Sequence, residues 1–184
     1  ANDHVDLKVK RGEILALLGE NGSGKTTLMN MLSGIYHPDE GTIFINGKET
    51  VINSPTDADA LGIGMIHQHF KLVEVHNAMD NIILGGKEKY FNRKELRNKI
   101  LSISEKFGLE VEPEKKVYDM SVSEKQTLEI MKVLYRGADI LILDEPTAVL
   151  TPQETQRLFA ILRKMRAEGS AIIIITHKLN EVME

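Results

Sequence analysis

Residues Gly19 to Thr26 read Gly-Glu-Asn-Gly-Ser-Gly-Lys-Thr, and they follow the apolar run from Ile14 to Leu18. The apolar run predicts a buried strand, so the glycine-rich octapeptide lies between a strand and the start of a helix. Glycine permits left-handed backbone conformations and close approach of a ligand, so consecutive N–H groups can converge on an anion at a helix N-terminus. The stretch therefore predicts a phosphate-binding loop.

The last two residues of this loop have definite chemical tasks. Lys25 can reach the β- and γ-phosphates of a nucleotide, and the Thr26 hydroxyl can coordinate Mg²⁺. A glycine-rich turn without a ligand is the alternative, but the complete pattern rarely arises by chance. The residues that we predict to bind the nucleotide are Gly19, Glu20, Asn21, Gly22, Ser23, Gly24, Lys25, Thr26 and Thr27.

Composition limits the remaining possibilities. The chain has 184 residues, of which 42% are hydrophobic, so we expect one domain or one domain with an insert. A net charge of −4 gives no basic surface for nucleic acid. No run of eighteen apolar residues and no signal-peptide pattern occur, which predicts a cytosolic protein. The absence of cysteine excludes disulfides, thiolate zinc sites and thiol nucleophiles.

Continuous apolar runs predict a parallel sheet covered on both faces by helices. These runs are 14–18, 63–66, 140–143 and 171–175. Two alternating segments, Val5 to Val9 and Thr42 to Ile45, predict a small antiparallel sheet beside it. Capping residues predict helices that begin at Ser54-Pro55, at Asn92 with Glu95, and at Thr151-Pro152 with Glu154.

Residues 76–137 differ from the rest because, apart from Asn77 to Gly85, they are polar and charged and contain no buried-strand run. Leu96, Ile100, Ile103 and Phe107 recur at helical spacing within them. We therefore divide the single domain 1–184 into a nucleotide-binding core, 1–75 with 138–184, and a helical subdomain, 76–137. The chain starts at Ala1 rather than Met and stops within a helix-like segment, so we expect it to be a fragment of a longer protein.

A second site motif is the apolar strand from Ile140 to Leu143, which ends in Asp144 and Glu145. Two carboxylates after a strand can form an ordinary charged turn. Beside a phosphate loop, however, Asp144 at the carboxyl edge of a parallel sheet can hold Mg²⁺. Glu145, one residue further on, can then polarise an attacking water.

Together these motifs resemble the ATP-binding cassette (ABC) ATPases over essentially the whole chain. The resemblance implies an α/β P-loop NTPase fold with a mainly parallel core sheet, a small antiparallel β subdomain and a helical insert. It also implies that Gln68 contacts the metal and the attacking water, that His177 contacts the γ-phosphate, and that residues 146–151 contact a partner cassette. Catalysis would thus fall to Glu145, His177 and Gln68.

The metal ligands implied by the resemblance are Thr26, Gln68 and Asp144, and the ligands bound are ATP and Mg²⁺. Residues 66–70 and 135–139 are similar to those of bacterial simple-sugar and nucleoside importers. That group implies a second cassette, usually in tandem, membrane permease subunits, and indirectly a solute-binding protein. It implies a peripheral position on the cytoplasmic side of the membrane, with a permease helix docked near Asn77 to Gly85.

The family signature Leu-Ser-Gly-Gly-Gln corresponds here to Met120 to Glu124, with Ser123 in place of a glycine. The pattern around Ser121 and Glu124 predicts a helix capping box. The resemblance additionally implies that Ser121 contacts the γ-phosphate bound by the partner cassette. Two alternatives stay open, namely a soluble ABC ATPase without a transport role, and a nucleotide-binding module whose altered signature allows little hydrolysis.

The family stacks adenine on an aromatic residue upstream of the phosphate loop. No aromatic residue precedes Tyr36, and His4 is a poor substitute. We therefore expect the adenine base to contribute little to binding by this chain.

Overall fold

The structure is a computed structural model that describes residues 2–20, 22–86 and 92–178. A short 3₁₀ helix spans Val117–Asp119. In chain order, the other elements are β1 (Ile14–Leu18), α1 (Lys25–Leu32), β2 (Ile43–Ile45), β3 (Lys48–Thr50), α2 (Pro55–Ala60), β4 (Ile63–Ile66), α3 (Ala78–Ile83), α4 (Arg93–Phe107), α5 (Val122–Tyr135), β5 (Ile140–Asp144), α6 (Pro152–Ala167) and β6 (Ala171–Thr176).

The central sheet is parallel, in the order β1-β6-β5-β4, which confirms the predicted fold class. Strands β4, β5 and β6 are largely buried, as their continuous apolar sequences predict. The prediction of burial on both faces is wrong for β1, whose residues are only partly covered. Within the described residues β1 pairs with β6 alone, so it lies at the edge of the sheet.

A small antiparallel sheet exists, but its composition differs from the prediction. It pairs β2 with β3, whereas residues 5–9 form no strand. Asn46 and Gly47 connect the two strands with φ angles of 54° and 77°, the left-handed backbone that a two-residue hairpin turn requires. Leu7 and Val9 pack against the same buried cluster as β2. The alternating apolar side chains of residues 5–9 therefore reflect packing on one face, without backbone pairing to another strand.

The predicted helix starts are confirmed by side-chain caps. Thr151 and Glu154 form a capping box at the start of α6, with Pro152 in its first turn. The Ser54 side chain caps α2, and the Asn92 side chain caps α4. Each such cap stabilises its helix by about 1 kcal/mol.

The helices α3, α4 and α5 form residues 76–137 together with the 3₁₀ helix, and no strand occurs in the described part of this segment. Leu96, Ile100 and Phe107 are buried on α4 as their spacing predicts. They belong to the same buried cluster as Leu141 and Leu143 of β5. The helical segment therefore packs on one face of the central sheet, while the second buried cluster, which includes Met29, Ile142 and Ile173, covers the other face.

No described helix is both long enough and apolar enough to span a membrane.

Candidate nucleotide-binding and catalytic site

Apart from Ser121, the described residues of the predicted site lie at one edge of the central sheet. Because the four strands are parallel, their carboxyl ends meet there. The phosphate loop follows β1, Gln68 follows β4, Glu145 follows β5 and His177 follows β6. Ligands of open parallel sheets bind at this edge, so the topology brings residues far apart in sequence to one place.

Lys25 lies at the centre of the phosphate loop. Its Nζ donates hydrogen bonds to the carbonyl oxygens of Gly19 at 2.7 Å and Glu20 at 2.8 Å, and to Ser23 Oγ at 3.2 Å. Gly24 precedes α1 with φ of 88°, a conformation that costs glycine little. The ammonium group is thus held by neutral oxygens that phosphate oxygens could replace with stronger charge-assisted bonds.

Asp144 and Thr26 are brought together across 118 positions of sequence. The Thr26 hydroxyl donates to Asp144 Oδ1 at 3.4 Å, and Asp144 is 8% exposed. Burial raises the pKa of Asp144, and the neighbouring charge of Glu145 raises it further, while the Thr26 hydroxyl and Lys25 oppose that rise. A carboxylate whose charge is poorly solvated gains much from a cation beside it.

These residues fit Mg²⁺ held jointly with a nucleotide. In the described residues no cluster of three His, Cys, Asp or Glu side chains could hold a metal on its own. Protein-bound Mg²⁺ commonly takes one or two carboxylates, substrate phosphates and water. The Asp144 carboxylate and the Thr26 hydroxyl match that incomplete ligand set.

Glu145 and His177 form a hydrogen-bonded pair. His177 Nδ1 lies 2.8 Å from Glu145 Oε1, and the Glu145 side chain is 10% exposed against 52% for His177. The other carboxylate oxygen, Oε2, is buried and has no hydrogen-bond partner among the described residues. An unpaired buried acceptor is costly for stability, and a bound water or ligand group that donates a hydrogen bond to it relieves that cost.

The backbone of Glu145 is itself unusual. Its φ of 49° lies in the left-handed region, which a non-glycine residue seldom adopts. A hydrogen bond of 3.0 Å from its N–H to the Ile175 carbonyl ties the strained residue to β6. Strain at a site residue is retained where the surrounding structure fixes it, as the sheet does here.

Gln68 lies at the same edge with an exposed side chain. In the described part of the chain no hydrogen bond joins it to Asp144 or Thr26, so its role as a metal ligand stays a prediction. Gln68 instead lines a groove of about 300 Å³ with Phe70, Val122, Lys125 and Val149. The groove brings Gln68 next to the start of α5 and the segment 146–151.

Ser121 caps α5 as predicted. Its Oγ accepts from the Glu124 N–H at 3.2 Å, and its own N–H donates to Glu124 Oε2 at 2.8 Å. Lys115 Nζ binds the other oxygen, Glu124 Oε1, at 2.6 Å, and this bond lowers the pKa of Glu124. The negative charge that Glu124 adds to the altered signature is therefore matched by a cation.

The sequence did not predict several features of the site. Two of these features are the hydrogen bond between Glu145 and His177 and the ion pair of Lys115 with Glu124. Both join residues that only the fold brings together, so no local sequence pattern predicts them. Asn2 donates to the Gly24 carbonyl at 3.2 Å, so the N-terminal segment contacts the phosphate loop. His4 is exposed and bound to Asp3, which leaves no aromatic platform in the described residues before the loop. The predicted ligand Asn21 lies outside the described residues.

Comparison with known proteins finds relatives over nearly the whole chain. The family model described as ABC transporter matches residues 2–148. The chain is 54% identical over 185 residues to a nucleoside import ATP-binding protein of Lactococcus lactis, covering 99% of this chain and 37% of that protein. It is 54% identical to a guanosine import ATP-binding protein of Bacillus subtilis, covering 94% of this chain and 34% of that protein. A ribose import ATP-binding protein of Caldanaerobacter subterraneus is 44% identical, covering 99% of this chain and 38% of that protein.

Solved structures share the fold. CbiO1 of Clostridium perfringens, described as part of the ABC transporter complex CbiONQ, superposes with a TM-score of 0.82 at 30% identity, covering 97% of this chain and 72% of that chain. An ATP-binding cassette of an ABC transporter in its ADP conformation superposes with a TM-score of 0.86 at 24% identity, covering 97% of this chain and 76% of that chain, and supports the fold alone. The chain spans little more than a third of the length of the curated import proteins.

Proposed function

This chain belongs to the ABC transporter family, and we propose that it is the nucleotide-binding part of an ATPase that powers import of a nucleoside or sugar through a membrane permease. The observation that carries the proposal is the Glu145–His177 pair beside the phosphate loop, with an unpaired buried oxygen on Glu145. A decayed nucleotide-binding module has no use for a strained, poorly solvated carboxylate at this position.

The residues divide the chemistry among them. Lys25 and the loop amides bind the phosphates of ATP, and Thr26 and Asp144, with Gln68, would hold Mg²⁺. The metal would neutralise charge on the phosphates. Glu145 Oε2 accepts a proton from the attacking water, while His177 holds Glu145 in position through Oε1.

The partners follow from the family and from surfaces of this chain. We propose a second cassette, in tandem in the intact protein, whose signature helix completes the site built on Lys25, while Ser121 serves the opposite site. Permease subunits and, through them, a solute-binding protein complete the assembly on the cytoplasmic side of the membrane, without nucleic acid.

The permease contact predicted near residues 77–85 remains a proposal. Most of α3 is buried there, and Leu84 is 46% exposed. Before the start of α3, Val75 is 68% exposed, and Tyr118 is 59% exposed. The Tyr118 N–H donates to the Glu74 carbonyl, which keeps these two segments adjacent. We expect the permease to bind at these exposed apolar side chains of the helical segment.

A second candidate function, nucleotide binding with little hydrolysis, is favoured by Ser123, where a Cβ replaces a hydrogen in the signature. Against it, Lys115 balances the charge of Glu124 and the capping box of α5 is intact. Hydrolysis by the full-length protein assembled with its permease separates the two. Turnover that requires Mg²⁺ supports the transport ATPase, and saturable ATP binding without phosphate release supports the second candidate.

A further inference from the structure

The loop between β4 and α3, residues 67–77, carries Gln68 near its start and is fixed by side chains rather than by secondary structure. Both backbone groups of Lys71 bind side chains of α5. Its N–H donates to Glu129 Oε1 at 2.7 Å, and its carbonyl accepts from Lys132 Nζ at 2.9 Å. Two residues further on, the buried amide of Asn81 binds both backbone groups of Val73, at 2.8 and 3.0 Å.

Two charged residues of α5 are largely withdrawn from water, because Glu129 is buried and Lys132 is mostly covered. Their side chains are 8% and 12% exposed, and their charged groups lie 3.6 Å apart. Burial lowers the pKa of Lys132, which reflects the cost of holding this ammonium away from water. Apolar residues of the same size often stabilise a protein more than a buried ion pair does. The contacts of the pair with the Lys71 backbone therefore explain its presence better than stability does.

The held residue lies three positions after Gln68. In the part of the chain that the structure describes, residues 68–70 form no backbone-to-backbone hydrogen bond outside the helices and strands. The pair therefore provides the first fixed point after the end of β4. Ser121 caps the start of the same helix, so a displacement of α5 moves Ser121 and the anchor of the Gln68 segment together.

We propose that Glu129 and Lys132 are positioning residues, which hold Lys71 so that α5 sets the position of Gln68 at the nucleotide site. The inference rests on the proposed function, in which Gln68 acts on the metal and the attacking water. It adds a direct mechanical link between the helix that serves the partner's site and the glutamine that serves this chain's own site.

Amide hydrogen exchange tests the physical link without relying on activity. In the full-length protein, Glu129→Ala should speed exchange of the Lys71 amide about 10- to 100-fold, because that amide loses a charged acceptor. Exchange at Leu143 in the core should stay unchanged. The double variant Glu129→Gln/Lys132→Met keeps the side-chain volume and an acceptor for the Lys71 N–H. It therefore provides a second test if Glu129→Ala does not fold. Glu114→Gln, in an exposed ion pair of the same helical segment, is the matched control.

ATP turnover by the assembled transporter tests the consequence. Glu129→Ala should lower kcat about 5- to 100-fold. Glu129→Gln/Lys132→Met loses only the bond to the Lys71 carbonyl, so it should lower kcat by a smaller factor. ATP affinity should be unchanged in both, since Lys25 and its loop are untouched. Unchanged Lys71 exchange in Glu129→Ala, or faster exchange with unchanged kcat, would overturn the inference and leave the ATPase intact. A wild-type assembly without ATP turnover would instead refute the proposed function, and the catalytic half of this inference with it.

Discussion

Glu145 and His177 are predicted to act as one catalytic unit, and a double-mutant cycle tests this. Glu145→Gln removes the base, and loss of a general base typically lowers the rate about 10²- to 10⁴-fold. His177→Ala removes the 2.8 Å hydrogen bond that orients the carboxylate. A hydrogen bond to a charged group contributes about 1.5–3 kcal/mol, which corresponds to about 10- to 100-fold in rate if all of it serves to orient Glu145.

The two effects should not multiply. Once the carboxylate of Glu145 has been replaced by an amide, nothing is left for His177 to orient as a base, so the double variant should match Glu145→Gln within about threefold. Phosphate release by the full-length protein assembled with its permease is the assay. His37→Ala, an exposed histidine away from the sheet edge, is the control. A double variant slower than Glu145→Gln by the full His177→Ala factor would mean that the two residues act independently.

Three further predictions concern the phosphate loop, the metal carboxylate and the signature. Lys25→Ala should abolish ATP binding measured by calorimetry. Tight binding of adenosine without Mg²⁺ would contradict the prediction that the phosphates supply most of the binding energy. The pKa of Asp144 is higher in the folded than in the unfolded protein, so ionisation of Asp144 lowers the stability of the fold. This loss of stability is absent at low pH, grows as the pH rises above the unfolded pKa, and is complete above the folded pKa. Asp144→Asn should therefore raise Tm at neutral pH, with the gain vanishing in acid, while Mg²⁺-dependent ATP binding is lost. Ser123→Gly should raise the ATPase activity of the assembled transporter. Lys115→Met should lower that activity because it leaves the Glu124 charge unpaired, and adding Glu124→Gln to Lys115→Met should restore it. Unchanged activity in Ser123→Gly, in Lys115→Met and in the double variant would refute both arguments.

Local chemistry in the sequence was sufficient for much of the fold. The apolar strands, the capping residues Ser54, Asn92, Ser121 and Thr151, and the phosphate loop depend on neighbours within a few positions. The strand proposed at Val5 to Val9 failed because alternation reports which side chains pack, whereas a strand also needs a pairing partner. Strand β3 was missed because its residues are polar, although the Asn46-Gly47 turn was a readable signal for it.

The site could be predicted as a set of residues but not as a set of contacts. Motifs identified Lys25, Asp144 and Glu145, because each task requires a particular side chain after a strand. The bond between His177 and Glu145, and the hold of Glu129 on the backbone at Lys71, join distant segments whose distances only the fold determines.

The most direct test compares ATP turnover by the monomeric chain 1–184 with turnover by the full-length protein assembled with its permease, at equal concentrations of Mg²⁺-ATP. Because we expect a second cassette to complete the site built on Lys25, the assembly should release phosphate and the monomer should release almost none. Robust turnover by strictly monomeric fractions of residues 1–184, lost on Glu145→Gln, would contradict the composite site. Absence of turnover in the complete assembly would contradict the assignment as a transport ATPase.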